Sequence, residues 1–226
     1  MKILVAGSTG LVGKTLITDF LQEHEVITIS RRPFKFPNNV KQELIDFNKD
    51  FSLKPADHFF ICLGYPLELL DLIYMRDKIK PKFEEVDFGL VIKLAKMALD
   101  TGIKDISVIS AVMADKNSLN HYLKIKGEME EEIKKLSFNK INIFRPSHLL
   151  GERENKIGLD VQIFEKVTNI FGQVLPSQLK DFKNVEARTL AKNMVTEAFN
   201  NKTGVSYFSH KAVSYTHLTL PTIYSV

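Results

Sequence analysis

Three glycines stand between an apolar run and a helix-forming segment at the start of the chain, in MKILVAGSTGLVGKTL. Residues 3–6 are apolar, and Gly7, Gly10 and Gly13 follow at regular intervals. A glycine turn between a strand and a helix lets the backbone approach a phosphate group, and the helix N-terminus stabilises the negative charge. The opening therefore predicts a phosphate-binding turn at the first βα junction.

The spacing of this turn excludes one of two phosphate-binding patterns. A nucleoside-triphosphate P-loop, G-x-x-x-x-G-K-[ST], needs a glycine at position 8, which is Ser8. The alternative is a dinucleotide turn, in which Gly7 permits the tight turn, Gly10 admits the pyrophosphate and Gly13 allows close helix–strand packing. We therefore predict dinucleotide binding by the turn, and assign Thr9, Leu11 and Val12 to it as well.

The order of apolar patterns along the chain predicts the fold class. Strand-like runs cover residues 2–6, 25–30, 40–45, 58–63, 106–110 and 140–144, and helical periodicity covers 11–22, 81–101 and 118–136. The strands are nearly continuous apolar runs, as expected when helices cover both faces of a sheet. This alternation predicts an α/β fold, a doubly wound parallel sheet of the Rossmann type with helices on both faces.

The second half of the chain is less regular. We expect one NAD(P)-binding domain over residues 1–211, with a small substrate-side lobe over about 147–184 and helical stretches at 159–171 and 185–200. Residues 213–226, VSYTHLTLPTIYSV, contain no charged side chain and resemble a translation of sequencing-library adapter DNA. We expect this tail to be non-native and exclude it from functional argument.

Composition excludes several classes of function. Hydrophobic residues make up 44% and charged residues 26%, as in ordinary globular proteins. The single cysteine, Cys62, excludes an internal disulfide and a multi-cysteine zinc site, and we expect no metal. The net charge is +4, but basic and acidic residues are interleaved, so no nucleic-acid partner is expected. No apolar run has the length of a membrane span or a secretory signal, so we expect a cytoplasmic protein without membrane association.

The residues after the second predicted strand favour one dinucleotide over the other. NAD sites usually carry an acidic residue there that bonds the ribose 2′-hydroxyl. Here the stretch is ITISRRP, with Ser30 followed by Arg31 and Arg32. Guanidinium groups suit a 2′-phosphate, so NADP(H) is favoured over NAD(H). The alternative interpretation is a pair of solvated arginines in a loop.

A tyrosine and a lysine four residues apart on a helix can supply the proton transfer that accompanies hydride transfer. Tyr74–Lys78, Tyr122–Lys126 and Tyr207–Lys211 all have this spacing. The middle pair lies on a predicted helix and follows a strand that ends in Ser110, whose hydroxyl could polarise a carbonyl group. We therefore assign catalysis to Ser110, Tyr122 and Lys126, the alternative being a surface Tyr–Lys pair.

At this point the sequence resembles a known family. GSTGLVG, Asp46-Phe47, CLG at 62–64, VISAVMADKNSLNHYLKIKGEMEE and IFRPSHLLGER are similar, in order, to motifs of atypical short-chain dehydrogenase/reductases. The chain resembles the Tat-interacting-protein-type NAD(P)H-binding oxidoreductases within the NAD-dependent epimerase/dehydratase-like group. Met113 departs from the pattern, because relatives often carry a small residue there.

The resemblance implies further site residues. Asp46 and Phe47 are expected to flank the adenine, and Leu63 and Gly64 to run beside the cofactor. Lys126 is expected to hold the nicotinamide ribose as well as to serve Tyr122, and Arg145 and Pro146 are expected near the nicotinamide. Without the resemblance, Asp46 is interpreted as a strand-end cap and Arg145 as the partner of a carboxylate. His121 and His148 lie near these motifs and are interpreted as packing or surface residues.

Three functions remain open from the sequence. The first is an NADP(H)-dependent oxidoreductase that transfers hydride to or from a small carbonyl or hydroxyl compound, with Tyr122 as acid or base. The second is a non-catalytic regulator that senses NADPH. The third is a sugar-nucleotide epimerase or dehydratase, for which the predicted substrate lobe is short. The sequence leaves the substrate and the oligomeric state undefined.

Overall fold

The computed structural model describes residues 1–147, 149–150 and 185–209. A parallel seven-stranded sheet has the order β3-β2-β1-β4-β5-β6-β9. Its strands are β1 (Lys2–Ala6), β2 (Glu25–Ser30), β3 (Val40–Leu44), β4 (His58–Ile61), β5 (Asp105–Ile109), β6 (Lys140–Phe144) and β9 (Gly204–Phe208), and β7 (Leu149–Leu150) pairs with β8 (Val185–Glu186). The predicted doubly wound parallel sheet is confirmed, and β3-β2-β1-β4-β5-β6 is the strand order of dinucleotide-binding folds.

Helices cover both faces of the sheet. They are α1 (Leu11–Thr15), α2 (Leu69–Ile73), α3 (Lys80–Glu84), α4 (Val91–Asp100), α5 (His121–Lys134) and α6 (Ala187–Phe199). A π-helical segment, Leu16–Phe20, continues α1, and another, Glu85–Leu90, joins α3 to α4 without a break. No helix among the described residues is long and apolar enough to cross a membrane.

Alternate residues of each central strand feed two separate core layers. On β1, Leu4 and Ala6 belong to the layer that packs under α4 and α5. Ile3 and Val5 belong to the layer under α1 and α6. Because both faces of the strand are buried, β1 is apolar at nearly every position, as the sequence pattern predicted.

The predicted element boundaries differ from the structure at their ends. The helix predicted over 118–136 begins at His121, because the Asn120 side chain accepts a hydrogen bond from the Leu123 amide at 3.0 Å and caps the helix. The helix predicted over 185–200 begins at Ala187, because the first two residues pair with β7. The predicted helix over 159–171, His148, Lys211 and the tail 213–226 lie outside the described residues.

Candidate active site and cofactor cleft

A cavity of about 450 Å³ opens at the carboxyl ends of β1, β2 and β4, where the strand order reverses between β1 and β4. Open parallel sheets bind ligands at this kind of reversal. Nine of the residues assigned to the cofactor line this cavity: Gly7, Thr9, Gly10, Ser30, Arg31, Asp46, Phe47, Leu63 and Gly64. The other lining residues were not predicted from the sequence: Ser8, Ile29, Asn48, Cys62, Glu85, Val86, Gly89, Leu90 and Lys93.

The glycine turn is shaped by close backbone contacts. Gly7 has a φ of +77°, and a Cβ atom there would lie 2.3 Å from the Cys62 carbonyl oxygen. A Cβ atom on Gly13 would lie 2.3 Å from the Gly7 carbonyl oxygen, so α1 can approach the turn only with glycine at this position. Gly10 is exposed at the start of α1. Gly7 and Gly13 thus fix the turn, and Gly10, which lies between them in the sequence, leaves backbone open to the cavity.

A buried hydroxyl group in the turn is consistent with a phosphate-bearing cofactor. The Ser8 hydroxyl is completely buried and has no hydrogen-bond partner among the described residues. Burying a hydroxyl without a partner is costly, and such groups in native proteins usually serve a ligand, a water molecule or catalysis. A phosphate against the exposed backbone of Thr9 and Gly10 fits this arrangement.

The two arginines after β2 differ in their placement. Arg31 lines the cavity, whereas Arg32 is not among the described residues that do so. The Arg32 carbonyl oxygen is held by the Ser30 hydroxyl at 3.0 Å and by Gln42 Nε2 at 3.2 Å, and Gln42 also donates to Ser30 Oγ at 2.8 Å. Ser30 therefore has a local role, because it fixes the turn that places Arg31 at the cavity.

Lys93 on α4 contributes a second cation to the same end of the cavity. Its Nζ donates to the Phe47 carbonyl oxygen at 3.1 Å and lies 4.9 Å from the centre of the Phe51 ring. Lys93 is not predictable from local sequence, because its contact with Phe47 joins residues that are 46 positions apart. Periodicity identifies α4 as a helix but does not show which of its lysines faces the cavity.

Two of the predicted catalytic residues, Ser110 and Lys126, lie at the carboxyl end of β5, and neither is among the described residues that line the cavity. Ser110 follows β5, and its hydroxyl is buried without a hydrogen-bond partner among the described residues. Lys126 on α5 points towards the same strand end, with Nζ 3.5 Å from the carbonyl oxygen of Ile109. The loop between them is tied to α5 by a hydrogen bond from the Asp115 amide to the Leu123 carbonyl oxygen at 3.1 Å.

Tyr122 lies one turn before Lys126 and packs against Phe83 of α3, with ring centroids 5.6 Å apart. Lys126 Nζ forms an ion pair at 2.7 Å with Asp87, which the sequence analysis did not single out. Asp87 lies on the π-helical segment between α3 and α4, and its other carboxylate oxygen accepts the Tyr65 amide at 2.7 Å. Tyr65 directly follows the cavity-lining Gly64, so Asp87 connects the cavity wall to Lys126.

Burial and the charges of Asp87 and Lys126 together set the pKa shifts of Tyr122 and Lys126. Burial raises the pKa of the Tyr122 phenol above its ordinary value; the Lys126 charge lowers it, and the Asp87 charge raises it again. Burial alone would lower the pKa of Lys126, but the combined effect of Asp87, Tyr122 and Glu130 outweighs burial, so this pKa is raised. At neutral pH, Lys126 is therefore charged and Tyr122 is protonated.

Arg145 and Pro146 follow β6 and are not among the residues that line the cavity. Arg145 forms a two-point ion pair with the buried Glu130 of α5, with Nε 2.9 Å from Oε1, and its guanidinium lies over the Tyr207 ring. The Pro146 carbonyl oxygen accepts the Val112 amide at 2.9 Å, which ties β6 to the loop after Ser110. The assignment of Arg145 and Pro146 to the nicotinamide stays a prediction. The assignment of Leu11, Val12, Gly13 and Arg32 to other parts of the cofactor also stays a prediction.

The alternative residues lie in other surroundings. Tyr74 is 75% exposed, and Tyr207 lies on β9 under Arg145. His121 Nε2 lies 3.0 Å from Glu84 Oε1, a contact between α5 and α3 outside the residues that line the cavity. The described part of the chain contains no cluster of three or more His, Cys, Asp or Glu side chains suited to a metal ion.

Comparison with known structures supports the fold. A UDP-glucuronic acid 4-epimerase from Bacillus cereus in complex with NAD superposes with a TM-score of 0.66 at 15% identity, over 92% of this chain and 77% of the other. A UDP-glucose 4-epimerase from Thermotoga maritima with UDP-glucose gives 0.66 at 14% identity, over 92% and 77%. At these identities the similarity shows the Rossmann-type fold alone.

Comparison of sequences shows the family. The profile of the NAD dependent epimerase/dehydratase family matches residues 3–117. Protein HTATIP2 of Rattus norvegicus is 34% identical over 67% of this chain, and the matched region covers 64% of the rat protein. The mitochondrial protein FMP52 of Debaryomyces hansenii is 30% identical over 75% of this chain and 76% of its own length. The resemblance expected from the glycine turn and the Tyr–Lys motif is thus confirmed, and the chain belongs to the NAD dependent epimerase/dehydratase family.

Proposed function

We propose that the chain is an NADP(H)-dependent oxidoreductase of the atypical short-chain dehydrogenase/reductase type that acts on a small carbonyl or hydroxyl compound. One observation carries the proposal: Lys126 and the Ser110 hydroxyl, which has no partner among the described residues, lie at the carboxyl end of β5, beside Tyr122 and at the same end of the sheet as the glycine-turn cavity. A proton donor next to a dinucleotide cleft is the arrangement that carbonyl reduction needs.

Each residue has a chemical role in this proposal. The glycine turn and Ser8 would hold the pyrophosphate, and Arg31 would meet the 2′-phosphate. When bound, the nicotinamide supplies or accepts the hydride. Ser110 donates a hydrogen bond to the substrate oxygen, and Tyr122 transfers the proton to or from it. Lys126 stabilises the phenolate while it lasts.

Cofactor preference is tested by titrating NADPH and NADH into the wild-type protein and into Arg31→Ala and Arg32→Ala. Loss of a charge-assisted contact costs about 1.5–3 kcal/mol, so Arg31→Ala is expected to weaken NADPH about 10–100-fold and to leave NADH unchanged. Arg32→Ala is the matched control, since Arg32 is not among the described cavity-lining residues, and a smaller loss is expected. Equal affinity of the wild-type protein for the two cofactors contradicts the preference for NADP(H).

The catalytic role is tested by screening NADPH consumption against a carbonyl library, followed by Tyr122→Phe on any substrate found. Tyr122→Phe is expected to lower turnover about 100-fold or more, since it removes the general acid, while NADPH still binds. If turnover is unchanged while the cofactor still binds, Tyr122 is not the proton donor. NADPH binding without turnover of any compound instead favours the NADPH-sensing regulator.

A cytoplasmic location is part of the same proposal, although the fungal FMP52 relatives carry the word mitochondrial in their names. Fractionation of source cells with an antibody against the chain decides between the two compartments.

A further inference from the structure

The ion pair between Asp87 and Lys126 is buried on both sides. The two side chains are 4% and 5% exposed, and Asp87 Oδ1 lies 2.7 Å from Lys126 Nζ. Asp87 Oδ2 accepts the Tyr65 amide at 2.7 Å, so both carboxylate oxygens are engaged. A buried charge pair of this kind rarely adds net stability compared with a neutral contact. The choice of a carboxylate at this position therefore needs a reason beyond holding the helices together.

The Asp87 carboxylate changes the electrostatic effect of Lys126 on Tyr122. A lysine without a counter-charge would favour loss of the proton from a neighbouring tyrosine, because its positive charge stabilises the phenolate. Because Asp87 lies 2.7 Å from the Lys126 ammonium, its negative charge offsets part of the effect of the Lys126 charge on Tyr122. The tyrosine therefore keeps its proton over a wider pH range than it would beside lysine alone.

The other ionisable groups around Tyr122 and Lys126 do not replace this effect. Glu130 also raises the pKa of Lys126, but its carboxylate accepts hydrogen bonds from two guanidinium nitrogens of Arg145, Nε and Nη2. Glu84 of α3 pairs with His121. Tyr65 packs in the same small cluster as Tyr122 and contacts Asp87 through its amide nitrogen. Asp87 is thus the carboxylate in direct contact with the ammonium.

We propose that Asp87 is a positioning residue that fixes Lys126 and keeps Tyr122 in its phenol form, so that the site is built to donate a proton and hence to reduce carbonyl compounds. The inference deepens the proposed function and rests on it. In the step it favours, the carbonyl carbon gains the hydride that the reduced nicotinamide loses and the carbonyl oxygen gains the Tyr122 proton. The products are an alcohol, the oxidised nicotinamide and a phenolate that regains its proton from water.

The test needs neither cofactor nor substrate. Protein labelled with ¹³C at the tyrosine ring carbon that bears the hydroxyl is titrated by NMR, and the Tyr122 signal is assigned from its absence in Tyr122→Phe. Asp87→Asn keeps the shape of the side chain and removes its charge. The Tyr122 phenol is then expected to titrate at least one pH unit lower than in the wild-type protein, a tenfold increase in its acid dissociation constant.

Two further variants keep the result interpretable. Asp71→Asn removes another buried carboxylate, which pairs with Arg76 and not with Lys126, and is expected to leave Tyr122 unchanged. The double variant Asp87→Asn/Lys126→Met has no charge at either position and is expected to titrate close to the wild-type protein. If Asp87→Asn alone does not fold, Lys126→Met is compared with the double variant: Tyr122 is expected to titrate higher beside the remaining Asp87 charge, and equal values overturn the proposal.

An unchanged Tyr122 titration in folded Asp87→Asn overturns the proposal. So does a double variant that is shifted downwards as far as the single one, since the effect would then not come from the lysine charge. The outcome is independent of the proposed function. A downward shift in Asp87→Asn, combined with normal turnover in Tyr122→Phe, would keep the electrostatic role of Asp87 and remove the catalytic role of Tyr122.

Discussion

Gly127 of α5 packs directly on the backbone of Lys116: a Cβ atom on this glycine would lie 2.2 Å from the Lys116 nitrogen. The contact presses the helix that carries Tyr122 and Lys126 onto the loop that follows Ser110. Alanine normally stabilises a helix interior by about 1 kcal/mol relative to glycine. Here we expect the opposite, because backbone on both sides of the contact must shift. Gly127→Ala is expected to lower the free energy of unfolding by about 1–3 kcal/mol in urea denaturation.

Gly89 provides the matched control for this experiment. Gly89 also lies within a continuous helix. A Cβ atom added to it would have the Glu84 carbonyl oxygen as its nearest neighbour, at 3.7 Å, which is an ordinary van der Waals contact. Gly89→Ala is therefore expected to be neutral or stabilising. Equal effects of the two substitutions would mean that the contact between α5 and the loop is not tight in solution.

Met113 lies in the same loop with a φ of 60°, a conformation that costs a non-glycine residue about 1–2 kcal/mol. Its side chain is 57% exposed, so its truncation has little effect on packing. Met113→Gly is expected to be more stable than Met113→Ala by about 0.5–1 kcal/mol, after the larger unfolded-state entropy of glycine is taken into account. Thermal unfolding of the two variants side by side measures the difference, and a less stable glycine variant contradicts it.

The strain at Met113 is the physical cost of one departure noted in the sequence. The family that the chain resembles is expected to carry a small residue there, and a glycine would adopt this φ without strain. The sequence alone showed the unusual residue but not its backbone conformation. That conformation depends on the tie between the loop and α5, which only the folded chain brings together.

Local patterns were sufficient for the fold and for one half of the candidate site. Alternation of apolar runs predicted the sheet, and the glycine spacing located the cavity, because both depend on residues that are close in sequence. Asp87 and Lys93 were missed because each acts on a distant part of the chain. The π-helical segment that carries Asp87 has no local sequence signature, and neither residue stands in a motif.

The buried pair between Arg145 and Glu130 is expected to contribute more to stability than the surface pairs on the same helix. Glu130 is buried, and Glu130→Gln leaves the Arg145 guanidinium without its counter-charge between α5 and β6. Removing one partner of a buried pair costs about 3–5 kcal/mol; since the Arg145 side chain is 30% exposed, we expect about 2 kcal/mol in urea denaturation.

Glu132→Gln is the control for this substitution. It removes a carboxylate from the same helix, but Glu132 pairs with Lys135 at the surface, where such pairs contribute less than about 1 kcal/mol. Similar losses for the two variants would show that the guanidinium finds solvent or another partner once Glu130 is neutral.

His58 makes stability depend on pH at the opposite end of the sheet from the cavity. Its ring is completely buried at the start of β4, with Nε2 2.9 Å from Ser107 Oγ, and Nδ1 has no hydrogen-bond partner among the described residues. Burial, with a smaller contribution from the Lys140 charge, lowers the pKa of His58 to about 3 from an ordinary value of 6.5. The folded protein therefore holds this ring neutral.

The sign of the pH dependence follows from proton uptake. Between pH 6.5 and about 3 the unfolded chain binds a proton at His58 that the folded chain does not bind, so stability from this group is complete above pH 6.5 and is lost as the pH falls. Between pH 7.5 and 5.0 the loss from His58 alone is about 2 kcal/mol. His58→Gln can retain a hydrogen bond to Ser107 but cannot titrate. Urea denaturation at the two pH values is expected to show a loss about 2 kcal/mol larger for the wild-type protein than for the variant, and equal losses would mean that the ring gains a proton without unfolding.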